Sequence, residues 1–472
     1  MSEPRDIRDP VFNFIRLTGT EAEIVNSSVF QRLRGIRQLA FANLVYPGAL
    51  HTRFEHSLGV CYIANLMAQE LNVSSEDRDL IRLAALLHDI GHGPFSHISE
   101  DILEIYSEKN DSQNTYKIHE AITADIIRQN DELNQYIRSA DREKIIKILG
   151  AGYGDPLLHS IVSGPLDADK QDYLLRDSYF CGVKYGVFDL GQLHRELRAV
   201  EQNDIEGKYL MMSKDGVHAL EQFVLAKYYI SNQVYRHRVR LITDQMLIRA
   251  ITRGIDFDNI ETLQYLYRYQ ADPKYLEEYL SWDDSKFLVV LTDQRFHGKE
   301  CHTILTRLKQ RNLLKRIYQR QIKELPEACR DQLYYISKPE NKKIRSELES
   351  YLWEPICKIV VDRCHGEITC SPDNPNFLIV HAYAIKSVRE MSQNDEASIL
   401  VDKGVGTPST FEEESTLFKS INEKLNQAFV EVYAPVGYDT PIDRTKLQKS
   451  IDDIVTEQIE NFFKEGGEDA TT

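Results

Sequence analysis

Apolar side chains recur at three- and four-residue spacings through most of the first 350 residues, as in Leu58, Ile63, Leu66 and Met67, or Ile81, Ala84, Ala85 and His88. A stripe with that period is buried by a helix and not by a strand, so the core must be mainly α. Strand character is expected only locally, in a small β-ribbon near 198–213 and, after residues 337–341, at 377–384, 398–401 and 428–434 around a helical segment near 411–426. The spacing therefore predicts a helical region over 1–350 and a small α+β appendage over 351–472, which ends in an acidic helix and a frayed tail from Gly466. A long amphipathic stretch is expected from Val217 to Ile251. Ser74, three residues before Asp77, reads as an N-cap with a capping-box partner, and Gly91 as the close of the same helix, just after His88 and Asp89.

A net charge of −16 sets a generally acidic surface, which repels the phosphate backbone and argues against a broad nucleic-acid footprint. Residues 394–472 carry 17 acidic against 7 basic side chains. Between Arg307 and Lys323, by contrast, stand seven basic residues and no acid; a solvated helix face is the ordinary reading and phosphate binding the minority one. The first residues are charged and no apolar run is long enough to span a bilayer, so a cytoplasmic protein without a membrane role is expected. Seven scattered cysteines read as reduced thiols. Cys357, Cys364, His365 and Cys370 lack the paired spacing of a zinc site and are read as structural.

Six of the fourteen histidines fall between residues 51 and 119, in HTRFEH, HDIGHGPFSH and KIHE. One buried histidine is more often a satisfied core residue than a ligand. This group differs because it sits beside Asp89 and several glycines rather than on a repeating apolar face. Mixed imidazole and carboxylate donors suit a divalent metal of the Fe, Mn or Zn class. Adjacent residues diverge by about 100° around a helix, so His88 and Asp89 can both ligate only at a helix end. In LDADKQDYLLRD, at 166–177, Asp169, Tyr173 and Asp177 share one helical face, a buried polar stripe.

With FQRLRGIRQL, YPGALHTRFEHSLGV, LLHDIGHGPFSH and DADKQDYLLRD in that order, the chain resembles the HD-domain phosphohydrolases, and within them the dNTP triphosphohydrolases that in some organisms follow a SAM domain. The likeness runs from about residue 9 to 235 and weakens towards 315, and no SAM domain is expected ahead of it. The resemblance implies a helical HD core with a metal on His56, His88, Asp89 and Asp169. It implies that His92, His97 and His119 line the α-phosphate, with His119 the proton donor and Glu100 its partner. Arg53, Lys170, Tyr173 and Lys227 would hold the triphosphate, with Mg²⁺ as a further option there. Gln38 and Asp177 would meet the sugar 3′-hydroxyl, and Tyr235 would crowd out a 2′-hydroxyl. Arg236 follows Tyr235 where an amide is typical, which leaves the base unassigned.

Relatives of this kind often bind activating nucleotides between subunits. Gln31, Arg34, Arg311 and Lys315 fit such a site, whereas Arg8, Asn26, Ser213, Asp215 and Ala219 depart from it. The resemblance thus implies a homo-oligomer, dimer or tetramer, that hydrolyses dNTP to deoxynucleoside and tripolyphosphate, with nucleotide activation as an additional expectation. Two alternatives remain: an HD-type phosphodiesterase or nuclease acting on single-stranded nucleic acid or a cyclic nucleotide, and a nucleotide-sensing protein with little catalysis.

Overall fold

The computed structural model describes residues 3–107, 118–150, 155–202, 205–336, 341–361, 377–385, 398–404, 407–420, 427–435 and 441–465. Its strands are β1 (Arg5–Asp9), β2 (Asn13–Leu17), β3 (Leu197–Gln202), β4 (Ile205–Ser213), β5 (Lys315–Gln321), β6 (Ile379–Ile385), β7 (Leu400–Asp402), β8 (Ser409–Thr410) and β9 (Gln427–Ala434). Helices supply most of the remainder, as the apolar period requires. Those that build the site are α1 (Arg53–Glu70), α2 (Ser75–Leu87), α3 (His97–Tyr106), α4 (Ile118–Gln129), α5 (Ala168–Cys181) and α6 (Val217–Ile230). No helix among the described residues is long and apolar enough to cross a membrane.

The chain forms two compact units, and their boundaries correct the division expected at 350. The first comprises residues 1–237, 264–290 and 387–424, and the second 238–263, 291–386 and 425–472. Strand pairing is the reason. In the second unit β9 lies between β5 and β6, antiparallel to both, so the sheet begins well before residue 351. In the first, β7 pairs in parallel with β4 and antiparallel with β8, which places part of the expected appendage beside the β-ribbon of β3 and β4. The second unit buries its own apolar core, including Ile317, Trp353, Val380, Val432 and Val455.

Local sequence explains where the helices start. Thr52 caps α1 in a capping box with Glu55, whose carboxylate accepts the Thr52 N–H at 2.9 Å. Ser74 caps α2 by accepting the Asp77 N–H at 3.1 Å; the Asp77 carboxylate accepts from the Ser74 hydroxyl, so the cap forms as expected with that bond in place of a reciprocal backbone one. Asp167 caps α5, and Gly182, at φ 69°, closes it. The expected amphipathic stretch from Val217 is interrupted: α6 runs into a π-helical turn over Ser231–Tyr235 before a new helix, Arg238–Asp256. The basic segment is not one helix face. It spans the end of the helix Glu300–Lys309, a turn with Arg311 at φ 58°, and β5. The Cys364, His365 and Cys370 reading and the Gly466 tail lie outside the described residues.

Helices α1 and α5 approach so closely that a Cβ on Gly59 would lie 1.8 Å from Asp172 Oδ1 and 2.4 Å from Arg176 Nη2. Gly59 therefore serves close packing and not chain flexibility. We expect Gly59→Ala to destabilise the protein by at least about 1–3 kcal/mol, the usual cost of overpacking; a melting temperature equal to wild type would contradict this close approach.

Candidate active site

Helix α2 stops at Leu87, and His88 caps it with Nδ1 2.8 Å from the Ala85 carbonyl. The chain then turns through Asp89, Ile90, Gly91 and His92. Gly91 N–H donates to Thr123 Oγ1 at 3.1 Å, and the Tyr279 hydroxyl donates to the Gly91 carbonyl at 2.9 Å. Gly91 does not end α2 as a left-handed cap. It is required because a Cβ there would lie 2.4 Å from the His119 carbonyl, at the first turn of α4. The close approach delivers His119 to the HD turn.

Four side chains expected to ligate a metal converge from α1, the end of α2 and the first turn of α5. His56 Nε2 stands 3.0 Å from Asp169 Oδ1 and 3.5 Å from Asp89 Oδ2; His88 Nε2 stands 3.2 Å from Asp89 Oδ1 and 3.9 Å from Asp169 Oδ1. Ligand atoms of His56, His88 and Asp169 all lie within 4.8 Å of one another. Both Nε2 atoms are buried without a hydrogen bond. Buried nitrogens of this kind are costly unless something accepts their lone pairs. The electrostatics agree. Burial works against a charged His56, yet the carboxylates of Asp169, Asp172 and Asp89 raise its pKa to about 10, so the spot favours positive charge. The donor set therefore fits a divalent cation of the Fe, Mn or Zn class.

Behind the ligands lies a chain of buried charges that sequence reasoning missed. His56 Nδ1 is 2.8 Å from Asp172 Oδ2, and Asp172 accepts from Arg176 Nε at 2.8 Å and Nη2 at 2.9 Å. Arg176 Nη1 donates in turn to Asp9 Oδ2 at 2.8 Å. The partner on Nδ1 fixes the His56 tautomer so that Nε2 faces the site.

Beside the metal group runs a second cluster. His92 Nε2 reaches Asp89 Oδ1 at 3.2 Å, and its ring stacks on His119 at 4.4 Å. Glu100 takes His119 Nδ1 at 2.5 Å and His97 Nδ1 at 3.1 Å. Atoms of His92, Glu100 and His119 are close enough to chelate, but the near-parallel His92 and His119 rings do not converge on one point, and Glu100 is already engaged by two imidazoles. Proton handling suits this cluster better. Burial disfavours a charged His119, but the Glu100 hydrogen bond outweighs it and raises its pKa; burial alone would raise Glu100, which His119 and His97 instead hold well below the usual carboxylate range.

His97 opens α3 after two strained residues, Phe95 at φ 63° and Ser96 at φ 56°, ψ −117°, each costing about 1–3 kcal/mol. The strain is held by Asp284, which accepts the Phe95 N–H at 2.7 Å and the Arg37 N–H at 3.1 Å, and by Ser96 Oγ, which donates to the Arg37 carbonyl at 2.8 Å and accepts Arg53 Nε at 3.0 Å. Burial pushes the Asp284 carboxyl up to about 6.

The anticipated substrate residues are placed unevenly. Arg53 is buried and donates to Asp89 Oδ2 at 2.6 Å. Lys170 Nζ is bound to its own helix cap, Asp167, at 2.6 Å. Tyr173 and Lys227 are half-buried on α5 and α6. Asp169, Tyr173 and Asp177 do share a face of α5, and Tyr173 lies 6.2 Å, ring to ring, from Tyr235. Tyr235, the last residue of the π-helical turn, donates its hydroxyl to Asp177 Oδ2 at 2.5 Å. Gln38 is buried with Oε1 unpartnered. Of the four residues linked to nucleotide activation, Gln31 and Arg34 lie in the first unit, hydrogen-bonded to each other at 2.9 Å; Arg311 and Lys315 line a cavity of about 540 Å³ in the second.

The HD-domain family description matches residues 53–159, the segment that contributes His56, His88, Asp89 and the histidine cluster. This chain carries an HD domain. The HD-associated region follows at 189–351. The chain is similar to HD-domain phosphohydrolases. It is 39% identical over 256 residues to the uncharacterized protein MJ1154 of Methanocaldococcus jannaschii, covering 54% of this chain and 51% of that one. It is 27% identical over 356 residues to the Gallus gallus deoxynucleoside triphosphate triphosphohydrolase SAMHD1, covering 69% and 58%, and 29% identical over 342 residues to the Homo sapiens protein of that name, covering 66% and 54%. The chain thus spans little more than half the length of these curated relatives. Among solved structures, a phosphohydrolase from Bacteroides thetaiotaomicron aligns with a TM-score of 0.70 at 26% identity over 92% of this chain and 100% of that one. A hypothetical protein from Aquifex aeolicus aligns at 0.68 and 26%, over 96% and 100%.

Replacing His88 and Asp89 together by alanine should abolish bound metal while the fold persists. Asp172→Asn, which keeps every ligand, should weaken metal affinity about 10–100-fold, the usual cost of losing a ligand's orienting partner. Metal titration and elemental analysis check both; unchanged affinity in Asp172→Asn would show that the buried charges do not tune His56.

Proposed function

We propose that this chain is a metal-dependent dNTP triphosphohydrolase that cleaves dNTP to deoxynucleoside and tripolyphosphate. The observation that carries the proposal is the continuity of one face of α5: Asp169 stands in the metal group, and Asp177, two turns along, is joined to Tyr235 with Tyr173 between them. One end of that face offers a cation and the other a hydroxyl-reading carboxylate, the separation that a nucleotide's phosphate and sugar demand. The names of the chicken and human relatives, deoxynucleoside triphosphate triphosphohydrolases, support the same assignment.

When bound at His56, His88, Asp89 and Asp169, a divalent cation supplies Lewis-acid polarisation of the phosphoryl group and acidifies a water. The chain's own residues do the remainder. His119, kept protonated by Glu100, is the general acid for the departing 5′-oxygen, a poor leaving group that must be protonated as its bond breaks. His92 and His97 flank it. Arg53 fixes Asp89 and the strained turn before His97, and Lys170, Tyr173 and Lys227 border the path of the polyphosphate. The Tyr235 ring, anchored through its hydroxyl, closes the sugar end against a 2′-substituent.

His119→Ala should retain metal and lower turnover by at least about a hundredfold. Because the acid works only while protonated, turnover falls as pH rises through the raised His119 pKa, and Glu100→Gln, which removes the support, should move that alkaline limb to lower pH. A pH profile of kcat in the two proteins checks the sign. The sugar assignment has its own test: wild type should favour dATP over ATP, and Tyr235→Ala should narrow the difference. Equal wild-type rates on the two would shift the assignment to a phosphodiesterase.

A further inference from the structure

His51 is a fully buried member of the histidine group with no part in the metal or proton clusters. Its Nε2 lies 2.7 Å from Asp177 Oδ1, with the two side chains 0% and 1% exposed. Asp177 Oδ2 receives the Tyr235 hydroxyl, so the carboxylate is gripped at both oxygens from two different parts of the chain. The His51 ring is itself fixed, stacked on Phe180 at 4.7 Å. Its loop is pressed onto the end of α5, where a Cβ on Gly48 would lie 2.5 Å from the Phe180 carbonyl. The His51 carbonyl also accepts the Gln38 N–H at 3.1 Å, so one residue is bonded both to Asp177 and to the backbone of Gln38. Two buried polar atoms here have no partner: Gln38 Oε1 and His51 Nδ1. A buried acceptor of this sort needs a donor that the chain does not supply, a water or a ligand group.

We infer that His51 is a positioning residue for sugar recognition: by donating Nε2–H to Asp177 it aims the carboxylate, together with Gln38 Oε1, at the 3′-hydroxyl of a nucleotide. This rests on the proposed nucleotide substrate and adds to it the residue that fixes the sugar contact. A carboxylate with one oxygen bonded to His51 and the other to Tyr235 cannot rotate, and its remaining lone pairs keep one direction. A 3′-hydroxyl placed there donates its one hydrogen to this acceptor pair, Asp177 or Gln38 Oε1. A 3′-deoxy sugar brings no donor to this acceptor pair and leaves Gln38 Oε1 buried without a partner, the situation in which a polar site discriminates most strongly.

The test compares kcat/KM for dATP and 2′,3′-dideoxy-ATP in wild type, His51→Phe and His51→Gln, with metal content and melting temperature measured alongside. Phenylalanine keeps the stack on Phe180 and lacks a donor; glutamine offers an amide N–H to Asp177. Wild type should prefer dATP, His51→Phe should reduce the dATP to dideoxy-ATP ratio about tenfold or more, and His51→Gln should restore much of it. If His51→Phe does not fold, His51→Met reads the same ratio without a donor. A ratio unchanged in the donor-less variant, or lost equally in His51→Gln, overturns the inference while wild-type hydrolysis of dATP leaves the proposed function standing. A wild type that hydrolyses no dNTP overturns both.

Discussion

The carboxylate of Asp172 is the interaction on which the first unit depends. A buried charge is tolerated only when paired and hydrogen-bonded, and Asp172 has both an arginine fork from Arg176 and an imidazole from His56. Replacing one partner leaves the others charged in a dry place, so the group behaves as a single unit. Because Arg176 also reaches Asp9, the same charges fasten the amino-terminal hairpin of β1 and β2 to α5. Because Gly59 puts no side chain between them, α1 and α5 lie close enough for His56 Nε2 and Asp169 Oδ1 to stand 3.0 Å apart. Packing and chemistry are thus set by one contact.

The histidine-rich turn forms a second layer of constraint. Its backbone is held from behind by Thr123, Tyr279 and Asp284, and its strained Phe95 and Ser96 persist because aromatic packing and four hydrogen bonds determine them. His97 follows directly on this strained pair, and although its side chain is 64% exposed its Nδ1 stands 3.1 Å from Glu100 Oε2.

Much of this was legible beforehand, for physical reasons. The helical core follows from the apolar period, and His88 with Asp89 at a helix end follows from the angle between adjacent residues. Asp169 was reached only through the resemblance, since nothing local joins it to His56. Asp172 and Arg176 were in plain view four residues apart, but which face of α5 turns inward depends on α1, a partner that spacing does not reveal. His51 went unassigned because its partner stands more than a hundred residues away. The division at 350 failed similarly: β5 finds its pairing partner in β9, and β7 finds its own in β4, with no local sign of either. The basic segment misled because Arg311 breaks it with a positive φ that composition does not announce.

The interleaving of the two units has a consequence for how the protein is made. The ribbon strand β4 leaves the ribosome nearly two hundred residues before β7, its parallel neighbour, a delay of roughly 10–40 s at ordinary synthesis rates of about 5–20 residues per second. Throughout that interval β4 presents an unfilled edge, and the segment that will fill it is still untranslated. Vectorial synthesis therefore does not deliver a finished first unit and a passive tail afterwards; the nascent chain must keep an open sheet edge soluble until most of its length has emerged.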